Sequence, residues 1–161
     1  MKPKNVLIFE EGAGSYTAKV ADFGFSTYFN KEQEDLIQVP KSVPWTAPEH
    51  HVRYFTSQSA KAMDAYSFSM LCLWLLFDNK SLGTKQFSFE AEYWQDKDDL
   101  LLYWKNNKLL DWAMQLVADD ASIETEMKLS LTSFFRSGLD PDTKKRNTDW
   151  DHLIGCLAPA Q

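Results

Sequence analysis

Asp22-Phe23-Gly24 opens, and Pro44-Trp45-Thr46-Ala47-Pro48-Glu49 closes, the stretch whose reading decides the fold. Between these borders, Phe25 to Val43 mixes Lys31, Glu32, Glu34, Asp35 and Lys41 with scattered apolar residues. It sustains neither helical nor strand periodicity, which predicts a mobile surface loop. Pro44 and Pro48 bracket Trp45-Thr46-Ala47 and restrict the backbone there. A polar loop with two stiff, sequence-specific ends is a segment positioned by its surroundings.

Upstream, Val6-Leu7-Ile8-Phe9 is a short apolar run followed by the turn-forming cluster Glu10-Glu11-Gly12-Ala13-Gly14-Ser15. Tyr16 to Ala21 alternates loosely, so the pair predicts a small β-hairpin. Such a hairpin starts at Asn5 and ends at Asp22, bringing both polar side chains to one edge. A shared metal ion would need that geometry.

Downstream the pattern becomes helical. His50 to Phe55 predicts a short helix and Ser57 to Lys61 a polar connection. Met63 to Phe77 is apolar on nearly every side, which predicts a helix inside the domain. Asp64, near its expected start, suits a cap and the positive end of the helix dipole. Gly83 ends that region, and Trp94 to Val117 predicts two amphipathic helices. Ile123 to Leu139 predicts another, stopped by Gly138 and Pro141, and Asp149 to Leu157 a last short one. The expected fold class is α+β and predominantly α: hairpin, long loop, then a helical bundle.

Bulk composition narrows the function. At 161 residues there is room for one domain with a sizeable core. A hydrophobic content of 44% with 25% charged residues argues against disorder. The net charge of −6 disfavours a nucleic-acid or anionic-membrane partner, and only Lys144-Lys145-Arg146 clusters positive charge. The longest apolar run, Phe68 to Phe77, is too short to span a bilayer. Met1-Lys2-Pro3-Lys4 does not read as a signal peptide, so Asn79-Lys80-Ser81 carries no weight as a glycosylation acceptor. Cys72 and Cys156 lie in apolar stretches without metal-ligand spacing and are expected to be buried free thiols. A cytoplasmic or nuclear setting is expected. His50, His51 and His152 are too few and too far apart for a zinc site. The acidic pairs, among them Asp98-Asp99 and Asp119-Asp120, are expected to be solvated, and Trp94, Trp104 and Trp112 to be core or interface residues.

The two borders resemble the Asp-Phe-Gly start and Ala-Pro-Glu end of a protein-kinase activation segment. Nearly the whole chain is similar to the C-terminal lobe of a eukaryotic-type protein kinase. Lys2-Pro3-Lys4-Asn5 resembles the end of the catalytic loop. The resemblance implies ATP and Mg²⁺ as cofactors, with Asn5 and Asp22 on the metal and Lys2 at the transferred phosphate. A carboxylate and an amide carbonyl are suitable oxygen ligands for hard Mg²⁺. Phe23 and Gly24 complete the opening motif. Glu49 resembles the glutamate that pairs with a late arginine, here Arg146. Asp64, with Tyr66-Ser67-Phe68, resembles the residue bracing the catalytic-loop backbone. Ser69 stands where the family usually has Gly.

Lys2-Pro3, with Ser42 in the place of the Thr that contacts the lysine, is similar to serine/threonine kinases. Trp45-Thr46-Ala47-Pro48-Glu49 looks more like the tyrosine-kinase form. The catalytic loop touches the chemistry, so serine/threonine specificity and a protein substrate are expected. Ser26, Thr27, Tyr28 and Ser42 are loop positions open to phosphorylation, but no arginine cluster converges on them. The His-Arg-Asp expected before Lys2-Pro3 and the Gly-rich loop are absent from these 161 residues. The expectation is therefore a partial kinase domain, inactive when isolated, with a non-catalytic, pseudokinase-like protein-interaction module as the alternative.

Overall fold

The computed structural model describes residues 1–24, 26, 36–52, 54–78 and 87–158. Thr27 and Tyr28, most of the expected loop, Asn79-Lys80-Ser81 and Gly83 lie outside the described residues. The described residues form one two-stranded antiparallel sheet and five α-helices, a mostly helical fold.

Strands β1 (Val6–Gly12) and β2 (Ser15–Val20) form the hairpin, in the register Val6↔Val20 and Ile8↔Ala18. Gly12 and Gly14 take φ values of +118° and +87°, which only glycine adopts freely, so they permit the tight turn. Leu7, Ile8, Phe9, Tyr16 and Val20 are exposed, so the ladder, not a packed face, holds the hairpin.

Helix α1 runs from Ser57 to Phe77, starting well before the expected Met63. The stretch read as a polar connection is its first turn. Thr56 is the N-cap, its Oγ1 accepting the Ser59 N–H at 3.2 Å. Asp64 is therefore neither cap nor dipole partner, because two turns of helix precede it. The short helix expected at His50 to Phe55 is a 3₁₀ turn over Pro48–His51. Phe55 instead pairs with Ile37, each N–H donating to the other's carbonyl at 2.9 Å.

Helices α2 (Asp98–Asn107), α3 (Leu109–Asp119), α4 (Thr125–Leu139) and α5 (Trp150–Gly155) follow the expected order with trimmed ends. Helix α4 packs on α1, α3 and α5. Ala65, Tyr66, Met70 and Leu73 of α1 are buried against a core shared with Phe134, Phe135 and Leu139 of α4. Leu109, Ala113 and Val117 of α3 close another side. Trp94 and Trp112 are buried beside Phe87 and Phe89, and Trp104 is half-buried. Lys61, Asp64, Leu75 and Leu76 remain exposed on α1, while Phe68 meets Phe134 and Trp150 edge-on. Cys72 is buried, which pushes its thiol up to about 12; Cys156 is only half-buried, contrary to expectation.

The α1–α4 crossing is tight at Ser69. A Cβ on Gly138 would lie 1.8 Å from Ser69 Oγ and 2.8 Å from Ser69 Cβ. Ser69 is accommodated because Gly138 faces it, and its hydroxyl donates to Ala65 O at 3.0 Å. Gly138→Ala should cost about 2–3 kcal/mol by overpacking, read as a shifted urea midpoint. Adding Ser69→Gly should bring the protein back toward wild type. Simple additivity of the two losses would show that they do not share the crossing.

Candidate functional site

The hairpin delivers its two ends together. A 3₁₀ turn over Pro3–Asn5 leads into β1, with Asn5 N donating to Lys2 O at 3.0 Å. The ladder continues one step past β2, where Ala21 N donates to Asn5 O at 2.8 Å. Asp22 follows with φ +62°, a left-handed turn that aspartate tolerates better than most residues. Its Oδ1 accepts a long 3.4 Å bond from Gly24 N.

Lys2, Asn5, Asp22, Phe23, Ser42 and Asp64 all line one cavity of about 600 Å³. Gly24, Glu49 and Arg146 lie outside its wall. Lys2 and Ser42 share the cavity, but no hydrogen bond joins them among the described residues. Asp64 likewise makes none to the backbone of residues 2–5. Partial desolvation raises the Asp64 carboxyl above its ordinary value, and the Met1 amino group opposes this.

The donor set suits a hard cation that keeps other ligands. Among the described residues no group of three His, Cys, Asp or Glu side chains could hold a metal. Asp22 and Asn5, which line the same cavity, are a carboxylate and an amide, oxygen donors of the type that hard Mg²⁺ takes.

The closing border is held separately. Arg146 Nη1 donates to Glu49 Oε1 at 2.6 Å and Nη2 to Glu49 Oε2 at 2.8 Å. Its other three N–H bonds go to the carbonyls of Asp140, Ala62 and Pro141. All five guanidinium donors are thus used, which burial of this cation demands. Lys144 and Lys145 stay exposed, so the basic triplet splits between solvent and core. The guanidinium also stands 4.8 Å from the Tyr66 ring centroid.

Between these anchors lies the turn over residues 42–47, in which Thr46 N donates to Ser42 O at 3.0 Å. Two side chains clamp consecutive carbonyls from opposite helices. Ser67 of α1 donates to Trp45 O at 2.9 Å, and Lys105 Nζ of α2 donates to Thr46 O. Trp45 stacks on Phe89 with ring centroids 5.7 Å apart and meets Trp74 edge-on. The exposed Lys41–Asp98 pair at 2.9 Å ties the same segment to α2.

The protein kinase domain family matches residues 1–155. This chain belongs to the protein kinase family. A probable serine/threonine-protein kinase of Dictyostelium discoideum is 33% identical over 85 residues, covering 53% of this chain and 16% of that relative. The chain thus aligns with only a small part of that protein's length. No solved structure matches it significantly. Among the described residues of this kinase-family chain, no helix is long and apolar enough to cross a membrane.

Lys105, and the contact of Ser67 with the turn, escaped the sequence reading. The usable signal for Lys105 was its spacing: it follows Leu101 by four residues, on the buried face of α2. Burial lowers the Lys105 ammonium to about 7; Lys41 adds to the effect, and Glu49 and Asp98 oppose it.

Glu49→Gln leaves the buried guanidinium uncompensated and should cost about 3–5 kcal/mol, measured by chemical denaturation. A loss below about 1 kcal/mol would show that the pair does not hold this border.

Lys105 sets a pH dependence. Between about 7 and the ordinary lysine value of 10.5, the unfolded chain holds a proton that the folded chain lacks. Stability should therefore climb with pH through that window, and Lys105→Met should remove the climb. An unchanged slope in the variant would assign it to other groups.

Proposed function

We propose that residues 1–161 form the larger part of the C-terminal lobe of a protein serine/threonine kinase, running from the end of the catalytic loop through the activation segment. The parent reaction would transfer the γ-phosphate of ATP to a protein hydroxyl. The observation that carries this reading is the extra ladder step from Ala21 N to Asn5 O, which sets Asn5 beside the Asp22 turn on the cavity that Lys2 also lines.

Asp22 and Asn5 would hold Mg²⁺, and Lys2 would offset charge on the phosphoryl group. When bound, the ion would neutralise phosphate charge. Asp22 presents its carboxylate from a backbone turn fixed by the ladder, and Asn5 is oriented by its own backbone bonds. Lys2-Pro3, Ser42 and the similarity to a probable serine/threonine-protein kinase of Dictyostelium support serine/threonine specificity. The same reading favours a cytoplasmic or nuclear setting.

A second reading, a non-catalytic kinase-like module that holds another protein, draws on the exposed Leu7, Ile8, Phe9 and Tyr16 of the hairpin. Residues 1–161 carry no His-Arg-Asp and no Gly-rich loop. By themselves they should therefore show no phosphotransfer and no melting shift with Mg²⁺-ATP. Phosphotransfer that Asp22→Ala abolishes would overturn that expectation.

The metal assignment has its own test. Mn²⁺ with excess ATP, whose paramagnetic broadening detects binding too weak to shift a melt, should broaden the NMR signals of Asn5 and Asp22 first, and Asp22→Ala should prevent it. Broadening spread evenly over the surface acidic residues would remove the metal role and favour the second reading.

A further inference from the structure

Lys105 is the charged group whose position the proposed chemistry does not explain. It is 3% exposed, buried deeper than any other lysine among the described residues, and donates to Thr46 O. Beside it lies a cavity of about 240 Å³, lined also by Thr46, His50, His51, Asp98 and Asp99. Asp98 and Asp99 occupy the exposed first turn of α2. A long flexible stem therefore has a path from a buried carbonyl to two exposed carboxylates within its own helix.

We propose that Lys105 is a proton-operated latch on the turn over residues 44–47. As a neutral amine it lies on the Thr46 carbonyl; on taking up a proton it withdraws through the adjoining cavity toward Asp98 and Asp99 and releases the turn.

The sign follows from burial. A neutral amine still donates a hydrogen bond and is tolerated out of water, whereas an ammonium with one carbonyl partner is poorly solvated there. The exposed position restores an ordinary lysine, so each proton taken up favours withdrawal. The charged and titratable groups facing Lys105 are few. Lys41, from the segment before the turn, repels the ammonium. Glu49, from the 3₁₀ turn, and Asp98, from α2, attract it. His50 and His51 line the cavity, with His50 Nε2 at 2.7 Å from Val39 O and His51 Nδ1 at 3.2 Å from Pro48 O. Lys41 already engages Asp98 at 2.9 Å, and this pair marks the outer end of the path.

The opposite clamp has no such control. Ser67 donates to Trp45 O from the buried face of α1 and does not titrate in this range. Release is therefore confined to the α2 side, and Trp45, stacked on Phe89, reports it. That the freed turn faces a protein substrate rests on the kinase reading above; the latch itself does not.

The test uses the full chain labelled with ¹³Cε-lysine and 5-fluorotryptophan, titrated from about pH 6 to about pH 11. The Lys105 Cε signal and the Trp45 fluorine signal should move together, with one shared midpoint above the value of about 7 set by the buried position and below the 10.5 of an exposed lysine. In Lys105→Met, which keeps the apolar stem, the Trp45 change should vanish. It should persist in His50→Gln and in His51→Gln, whose side chains line the same cavity. A Trp45 signal that stays flat in wild type, or titrates unchanged in Lys105→Met, overturns the latch. So does a Lys105 signal with the midpoint of an exposed lysine. None of these readouts requires nucleotide, so an inactive chain could carry the latch and an active one could lack it.

Discussion

The buried pair between Glu49 and Arg146 is the constraint on which the rest of the arrangement depends. A guanidinium 5% exposed is tolerated only if every N–H finds an acceptor. Here the acceptors come from the 3₁₀ turn after Trp45-Thr46-Ala47, from α1 through Ala62 O, and from the Asp140-Pro141 corner after α4. One cation therefore ties together three pieces of chain that helix packing would leave free to slide. The turn over residues 42–47 inherits its position from that junction.

Helix α1 supplies the second frame. It presents Ala65, Tyr66, Met70 and Leu73 to the core, Ser67 to the turn, and Asp64 to the cavity that Lys2, Asn5 and Asp22 also line. Its spacing explains why one helix serves three surfaces: successive residues turn by about 100°, so neighbours in sequence face different layers. The hairpin is independent of this frame. Its side chains are largely exposed, and its backbone ladder alone places Asn5 beside the Asp22 turn.

Much of this was legible in the residues, for identifiable reasons. The hairpin was marked by its Gly12-Ala13-Gly14 turn, the later helices by apolar spacing, and the family by motifs at both ends of the chain. The failures have physical causes too. Ser57-Gln58-Ser59-Ala60-Lys61 has little apolar content, so the first turns of α1 read as a connection, and Asp64 was taken for a cap that Thr56 provides. Lys105 carried no expectation, because a lysine on a buried face cannot be told from an exposed one until the turn packs over it. Ser69 read as a mild departure from the family until Gly138 appeared opposite. The last two misses concern residues whose role is set by a distant neighbour, which local pattern does not carry.

The Glu49–Arg146 contact joins positions 97 residues apart, and this separation has a kinetic consequence. The hairpin can form as soon as its own residues are available, since its contacts are local. The closing border of the central segment cannot be fixed until α1 to α4 and the corner beyond them have been synthesised and folded. During synthesis the Trp45-Thr46-Ala47 turn must therefore remain unanchored on this side while most of the chain emerges. The Glu49 end of the segment that identifies the family is therefore fixed later than the hairpin that leads into it.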